Sequence, residues 1–322
     1  MRLVGIDFLR GVAAFGIVGC HLILGPRTAG GELVTALCDF NVGLFAAVAG
    51  FLMCGRGDDK GWLAYVGKRA RRLLPTYFFW SAVFILATVS FDLLLDGGRL
   101  NPKYGTMAFW GRVVFAGDAS THLWFLVCLF YMQVLLWSAF KVCKQRWHGI
   151  MWIVFGGVSA WVATLSPMCF FNRYPLRLAA FLMTGYGVGC LLPGGLLEAC
   201  KKHNGVMWCV TVVVLAAHVV AGQAVPGFMK DWLAVGPVLL AFVGLEMKGE
   251  CAEKVAAMLG ATSLGVYLVH PLVTRGLSVV VSRVVASPFT AGVVLADWLL
   301  AWGVSVVTVF VLRKIPVVKG FV

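Results

Sequence analysis

The chain is short of charge. Charged side chains make up 13% of its 322 residues, against about 25% in soluble domains, which use them to cover their surface. That shortage excludes an ordinary water-soluble domain of this length. Acidic residues are the scarcer sign, 14 against 27 Lys and Arg, which leaves a net charge of +13. In a soluble protein that excess would point to nucleic acid. Here the basic residues gather between apolar runs, as Lys and Arg do in cytoplasmic loops, so no nucleic-acid partner is expected. None of the ten cysteines forms a CxxC pair or a metal spacing with histidine. Most lie in or beside apolar runs, where a thiol behaves as a small hydrophobe, so neither a disulfide framework nor a metal site is expected. Internal repeats, low-complexity stretches and a segment long enough for a separate soluble domain are also missing, so 1–322 reads as one transmembrane domain. The first apolar run is interrupted by Asp7 and Arg10, and no A-x-A-like cleavage site follows His21. It reads as a retained membrane helix and not as a signal peptide.

What the chain has is apolar length. Hydrophobic residues make up 61% and the mean hydropathy is +0.90. Runs such as 83–95, 205–220 and 292–312 recur, and about 20 apolar residues cross the hydrocarbon core as a helix. The runs do not alternate apolar with polar, which excludes a β-barrel. The expected fold is an all-α integral membrane bundle of about ten helices, over 6–24, 36–54, 74–95, 121–140, 149–168, 175–192, 205–222, 232–247, 257–279 and 289–312. Alternate loops carry most of the basic residues: Arg56 to Arg72, Lys141 to Arg146, Lys201 and Lys202, Lys248 and Lys254, then the tail with Arg313, Lys314 and Lys319. Positive charge inside then puts both termini in the cytoplasm, and a bacterial inner membrane suits the pattern. The outer side receives a loop between Gly25 and Cys38, with Arg27 and Glu32. A longer outer loop over 96–121 is broken by Gly97, Gly98, Pro102 and Gly105.

Charges inside a membrane are costly and mark function or pairing. Asp7 and Arg10 are three apart in the first span, so they share a helix face and can pair. Arg10 and His21 are eleven apart. Eleven residues make about three turns and roughly 16 Å of rise, so both lie on one stripe, near opposite ends of the helix. Taken singly, Arg10 reads equally well as a snorkelling interfacial side chain and His21 as a packing donor between helices. Arg177, at the start of the sixth span, is a further charge in need of a partner inside the bundle.

Other segments carry chemistry in a definite order. They are Gly43-Leu44-Phe45-Ala46-Ala47-Val48-Ala49-Gly50-Phe51-Leu52, the basic stretch Lys68-Arg69-Ala70-Arg71-Arg72-Leu73-Leu74-Pro75, His122-Leu123-Trp124-Phe125-Leu126, and Ser263-Leu264-Gly265-Val266-Tyr267-Leu268-Val269-His270-Pro271. With the Arg10-to-His21 spacing, these five motifs resemble acyltransferase family 3, over nearly the whole chain. Ala49 stands where that family usually has Ser. Cys128 and Leu129 follow the His-Leu-Trp-Phe-Leu motif where many members have an acidic residue. The likeness is to the stand-alone branch, without an extra hydrolase-like domain.

The resemblance implies transfer of an acyl group, most often acetyl, from cytoplasmic acyl-CoA to a hydroxyl of a cell-surface or lipid-linked glycan. The partners would be acyl-CoA, a carbohydrate acceptor and the bilayer, with acetyl-CoA as donor substrate and no bound cofactor. A sugar hydroxyl needs a general base near pH 7, and histidine suits that task. His21 takes the role, with an acyl-histidine intermediate as the variant. Arg69 and Arg72, with Lys68 and Arg71 beside them, would bind the CoA phosphates through guanidinium forks. Lys68 and Arg71 read equally as topological charge. Arg10 would meet the pantetheine arm or a phosphate, or simply hold Asp7. His122 is a candidate for the acceptor side, and Trp124 fits that side or an interface belt. Tyr267 and His270, three apart on one face, fit a structural role as well. A transporter of a glycolipid or small solute is the rival reading, since a buried charge stripe suits it too. No pair of matching broken helices supports that rival.

Overall fold

The structure, a computed structural model, describes residues 3–21, 37–54, 61–95, 101–142, 146–165, 170–220, 227–284 and 291–322. The outer loop expected from Gly25 to Cys38, with Arg27 and Glu32, lies outside them apart from its last two residues. Among the described residues every regular element is helical. They are α1 (Val4–Cys20), α2 (Asn41–Cys54), α3 (Trp62–Leu95), α4 (Met107–Ala116), α5 (Trp124–Val142), α6 (Arg146–Leu165), α7 (Phe170–Leu191), α8 (Leu196–Lys202), α9 (Asn204–Val220), α10 (Gly227–Val243), α11 (Glu250–Val284) and α12 (Ala291–Leu312).

Five of these are long and apolar enough to cross a membrane: α3, α5, α6, α11 and α12, with a sixth if α7 and α8 form one broken span. The expected ten are not reached on this measure. α2 has 14 residues and α1, α9 and α10 have 17 each, so the longest of these four covers roughly 26 Å of a hydrocarbon core about 30 Å thick. The outward faces of α3, α5, α6, α9 and α12 are apolar. Leu86, Leu135, Val154, Val213 and Val307 are all largely exposed, a surface that water would not tolerate and lipid requires.

α1 sits centrally, packed against α2, α10, α11 and α12. Its buried side is made of small residues, Gly5, Gly11, Ala13, Ala14, Gly16 and Gly19, with Leu9, Ile17 and Val18 between them. Glycines weaken an isolated helix, but small residues let neighbouring backbones close in where no hydrophobic force drives association. The tightest case joins α2 to α7. A Cβ on Gly50 would lie 2.0 Å from the Leu182 carbonyl oxygen, and one on Gly185 would lie 1.8 Å from that of Ala47. Only glycine fits either position.

Two segments differ from expectation. The basic stretch Lys68 to Pro75 is not a loop but the first part of α3. Helical spacing turns Arg69 inward with Tyr65 and Leu73, four residues to either side, and leaves Lys68 and Arg71 exposed. The segment expected as an outer loop over 96–121 contains α4. The Thr106 hydroxyl caps it by accepting from the Phe109 N–H at 3.3 Å, and Gly117 at φ 79° ends it. Those end signals outweigh the glycines and the proline upstream of it.

Candidate active site

The arginines come together. Arg10 of α1 and Arg69, Arg72 and Leu73 of α3 line one cavity of about 140 Å³, with Phe45, Val48, Ala49 and Leu52 of α2, Gln133 and three apolar residues of α5, and Leu264 of α11. Arg10 also lies 3.7 Å from Asp7 in the expected i,i+3 pair, which turns that acid along the same face. The Arg69 guanidinium rests over the Tyr65 ring at 5.0 Å, and Tyr65 in turn stacks on Trp137 at 5.4 Å. That aromatic base holds Arg69 in place. Its Nε is buried and makes no hydrogen bond, and the same holds for Oε1 of Gln133. A buried donor and a buried acceptor left open in one cavity cost stability unless something fills them. Lys68 and Arg71 do not line the cavity. Arg71 instead turns back to the Gly67 carbonyl at 3.2 Å.

Three of the six histidines form a second cluster. His21 caps the C-terminal end of α1. Its ring centroid lies 5.0 Å from that of His270 on α11, which lies 5.5 Å from that of His122, just before α5. His122 and His270 are buried, and His21 is half-buried. Tyr267 packs against His122 at 5.4 Å and donates its hydroxyl proton to the His122 carbonyl.

The His-Pro pair has a local logic. Pro271 has no N–H, so the carbonyl four residues back, on Tyr267, loses its helical partner. The His270 Nδ1 lies 2.7 Å from that oxygen. A carbonyl only accepts, so Nδ1 carries the proton and the lone pair of the neutral ring falls on Nε2. That Nε2 is buried and makes no hydrogen bond. The His122 Nδ1 pairs with the Ser120 hydroxyl at 3.1 Å, and its Nε2 is likewise buried without a hydrogen bond. Two imidazole nitrogens thus remain open beside His21.

Trp124 lies two residues beyond His122 and packs against Tyr174, the rings tilted by 30° with centroids 4.4 Å apart. Arg177 belongs elsewhere. It pairs with buried Asp231 of α10 and lies over the Phe228 ring at 4.2 Å, while His218 Nε2 comes within 3.9 Å of the same carboxylate. This is a charge cluster inside the bundle and apart from the cavity, and Asp231 Oδ1 in it is buried without a hydrogen bond. Among the described residues no group of three or more His, Cys, Asp or Glu side chains is arranged to hold a metal ion.

Sequence reasoning missed Gln133, Phe45 and Asp231. Gln133 left a signal: it is the one amide in the apolar run of α5, and Leu126, Leu129 and Gln133 share a face at helical spacing. Asp231 stands 54 residues from its arginine, and nothing local announces that pairing.

A family model described as an acyltransferase domain matches residues 3–312. All the residues of the cavity and of the histidine cluster fall inside the match. No curated protein and no solved structure matches the chain.

Proposed function

The chain belongs to acyltransferase family 3 and is a multi-pass membrane acyltransferase, and from that premise we propose that it carries an acetyl group from cytoplasmic acetyl-CoA to a hydroxyl of a glycan on the far side of the bilayer. The observation that carries this reading is the convergence of Arg10, Arg69 and Arg72 on one cavity that holds open polar atoms. Three guanidinium groups suit a ligand with several phosphates, each offering paired donors to phosphate oxygens. On this reading the alternation of basic loops supports a cavity that faces the cytoplasm, where acyl-CoA is found. In this reading α1, α2, α9 and α10 also cross, which gives ten crossings and places both termini in the cytoplasm.

The chemistry follows from the histidines. The acceptor hydroxyl enters from the outer side and gives its proton to His21. Its oxygen attacks the thioester carbonyl, the carbon–sulfur bond breaks, and the thiolate leaves with the proton that the imidazolium returns. The lone pair on His270 Nε2 can accept from the acceptor hydroxyl and so position it beside His21. Trp124 and Tyr174 stand beside His122 as a face for the sugar.

The test is turnover of radiolabelled acetyl-CoA by the purified full-length protein in detergent, beside His21→Ala and Arg69→Ala. The expected result is slow thioester cleavage by the wild type that disappears in the His21 variant. Full cleavage by a folded His21→Ala protein would remove the assignment of the base.

A further inference from the structure

None of the three histidines lines the arginine cavity, and three aromatic rings connect the one to the other. Phe45 and Phe125 lie in the cavity wall beside the arginines. Both rings touch Tyr267, with centroids 6.1 and 5.4 Å away, and each other at 6.4 Å. On its other side Tyr267 touches His122 at 5.4 Å and His270 at 6.0 Å. The triangle therefore presents one face to the donor cavity and the other to the histidines. We infer that Phe45, Phe125 and Tyr267 form a septum that sets the length of acyl group the enzyme transfers. This rests on the reading of the cavity as the acyl-CoA site.

The three rings are held unequally. Tyr267 is 3% exposed and tied by its hydroxyl to the His122 carbonyl, and Phe125 is 2% exposed. Phe45 is half-buried and faces the cavity, so it is the ring with room to turn. A thioester held from the arginine side has to pass this wall before its carbonyl meets the histidines. An acetyl group asks for little displacement. Each added methylene presses on rings already in close contact, and packed aromatic side chains yield only by leaving their preferred rotamers. An aromatic wall therefore discriminates by size, without any polar contact to the acyl chain. In apolar pockets one methylene is typically worth about tenfold or more in kcat/KM.

The test uses the full-length protein with acetyl-, propionyl-, butyryl- and hexanoyl-CoA, reading release of the CoA thiol. Wild type, Phe45→Ala and the milder Phe125→Leu are compared, with thermal unfolding as the check on folding. The wild type is expected to lose about tenfold in kcat/KM per added methylene. In Phe45→Ala the butyryl-to-acetyl ratio should rise by about tenfold, and in Phe125→Leu by a smaller factor in the same direction. A wild type that uses butyryl-CoA as well as acetyl-CoA would overturn the septum. So would an unchanged ratio in both variants when they fold normally. In either case the donor reading would stand. A wild type that neither binds CoA nor cleaves any of the four esters would instead overturn the donor reading, and the septum with it.

Discussion

The arginine cavity and the histidine cluster differ in how their polar groups are held. In the cavity, long flexible side chains reach in from α1 and α3, with Arg69 seated on Tyr65 and Arg10 beside Asp7. In the cluster, short rigid rings are fixed by backbone carbonyls and by their neighbours, so that even the proton position on His270 is set by the helix. Flexible cations suit recognition of a charged ligand, which tolerates small displacement. Proton transfer tolerates little, because the base has to lie within hydrogen-bond reach of the proton it takes. On the proposed reading the contrast divides binding from chemistry, and each half should be open to disturbance without the other.

The largest effect is expected from His21→Ala. Turnover should fall by about two to four orders of magnitude, with CoA affinity by calorimetry close to the wild type. A matching loss of affinity would erase the division. Next comes Arg69→Ala, which removes a charge-assisted donor worth about 1.5–3 kcal/mol. The KM for the acyl donor should rise by about one to two orders of magnitude, while kcat at saturation changes little. Gln133→Leu keeps the volume and removes the open acceptor. A contact to the donor would cost about 1 kcal/mol, or roughly fivefold in KM, whereas an amide that meets no ligand would leave KM alone and raise the melting temperature. The smallest effect is expected from Pro271→Ala. The new N–H competes with His270 for the Tyr267 carbonyl, a neutral hydrogen bond worth about 1 kcal/mol. Kcat should drop by roughly fivefold with a displaced pH profile and no change in CoA binding. A shift in donor affinity would show that the two halves are coupled through α11.

Much of this division was legible in the sequence, for reasons that differ by residue. Arg10 and His21 share one helix, so the 3.6-residue period alone places them on one stripe. Arg69 is separable from Lys68 and Arg71 once the basic stretch is read as helix, since its neighbours at four residues are Tyr65 and Leu73. Reading the stretch as a loop hid that. The union of His122 with His270, and of Arg177 with Asp231, depends on how distant helices dock, and no local pattern carries it. The crossing count was harder still. Glycine-rich α2 and the 17-residue α1, α9 and α10 owe their place to packing more than to length.

That dependence bears on how the protein is made. α2 is short, and the contact at Gly50 and Gly185 that seats it is with α7, more than a hundred residues later in the chain. At about 5–20 residues per second, α2 leaves the ribosome on the order of ten seconds before its partner exists. During that interval it has either to wait at the insertion machinery or to remain loosely held in the bilayer. A nascent chain stalled before α7 should therefore leave α2 within crosslinking reach of lipid or of the insertion machinery, and one stalled after α7 should bring it against α7.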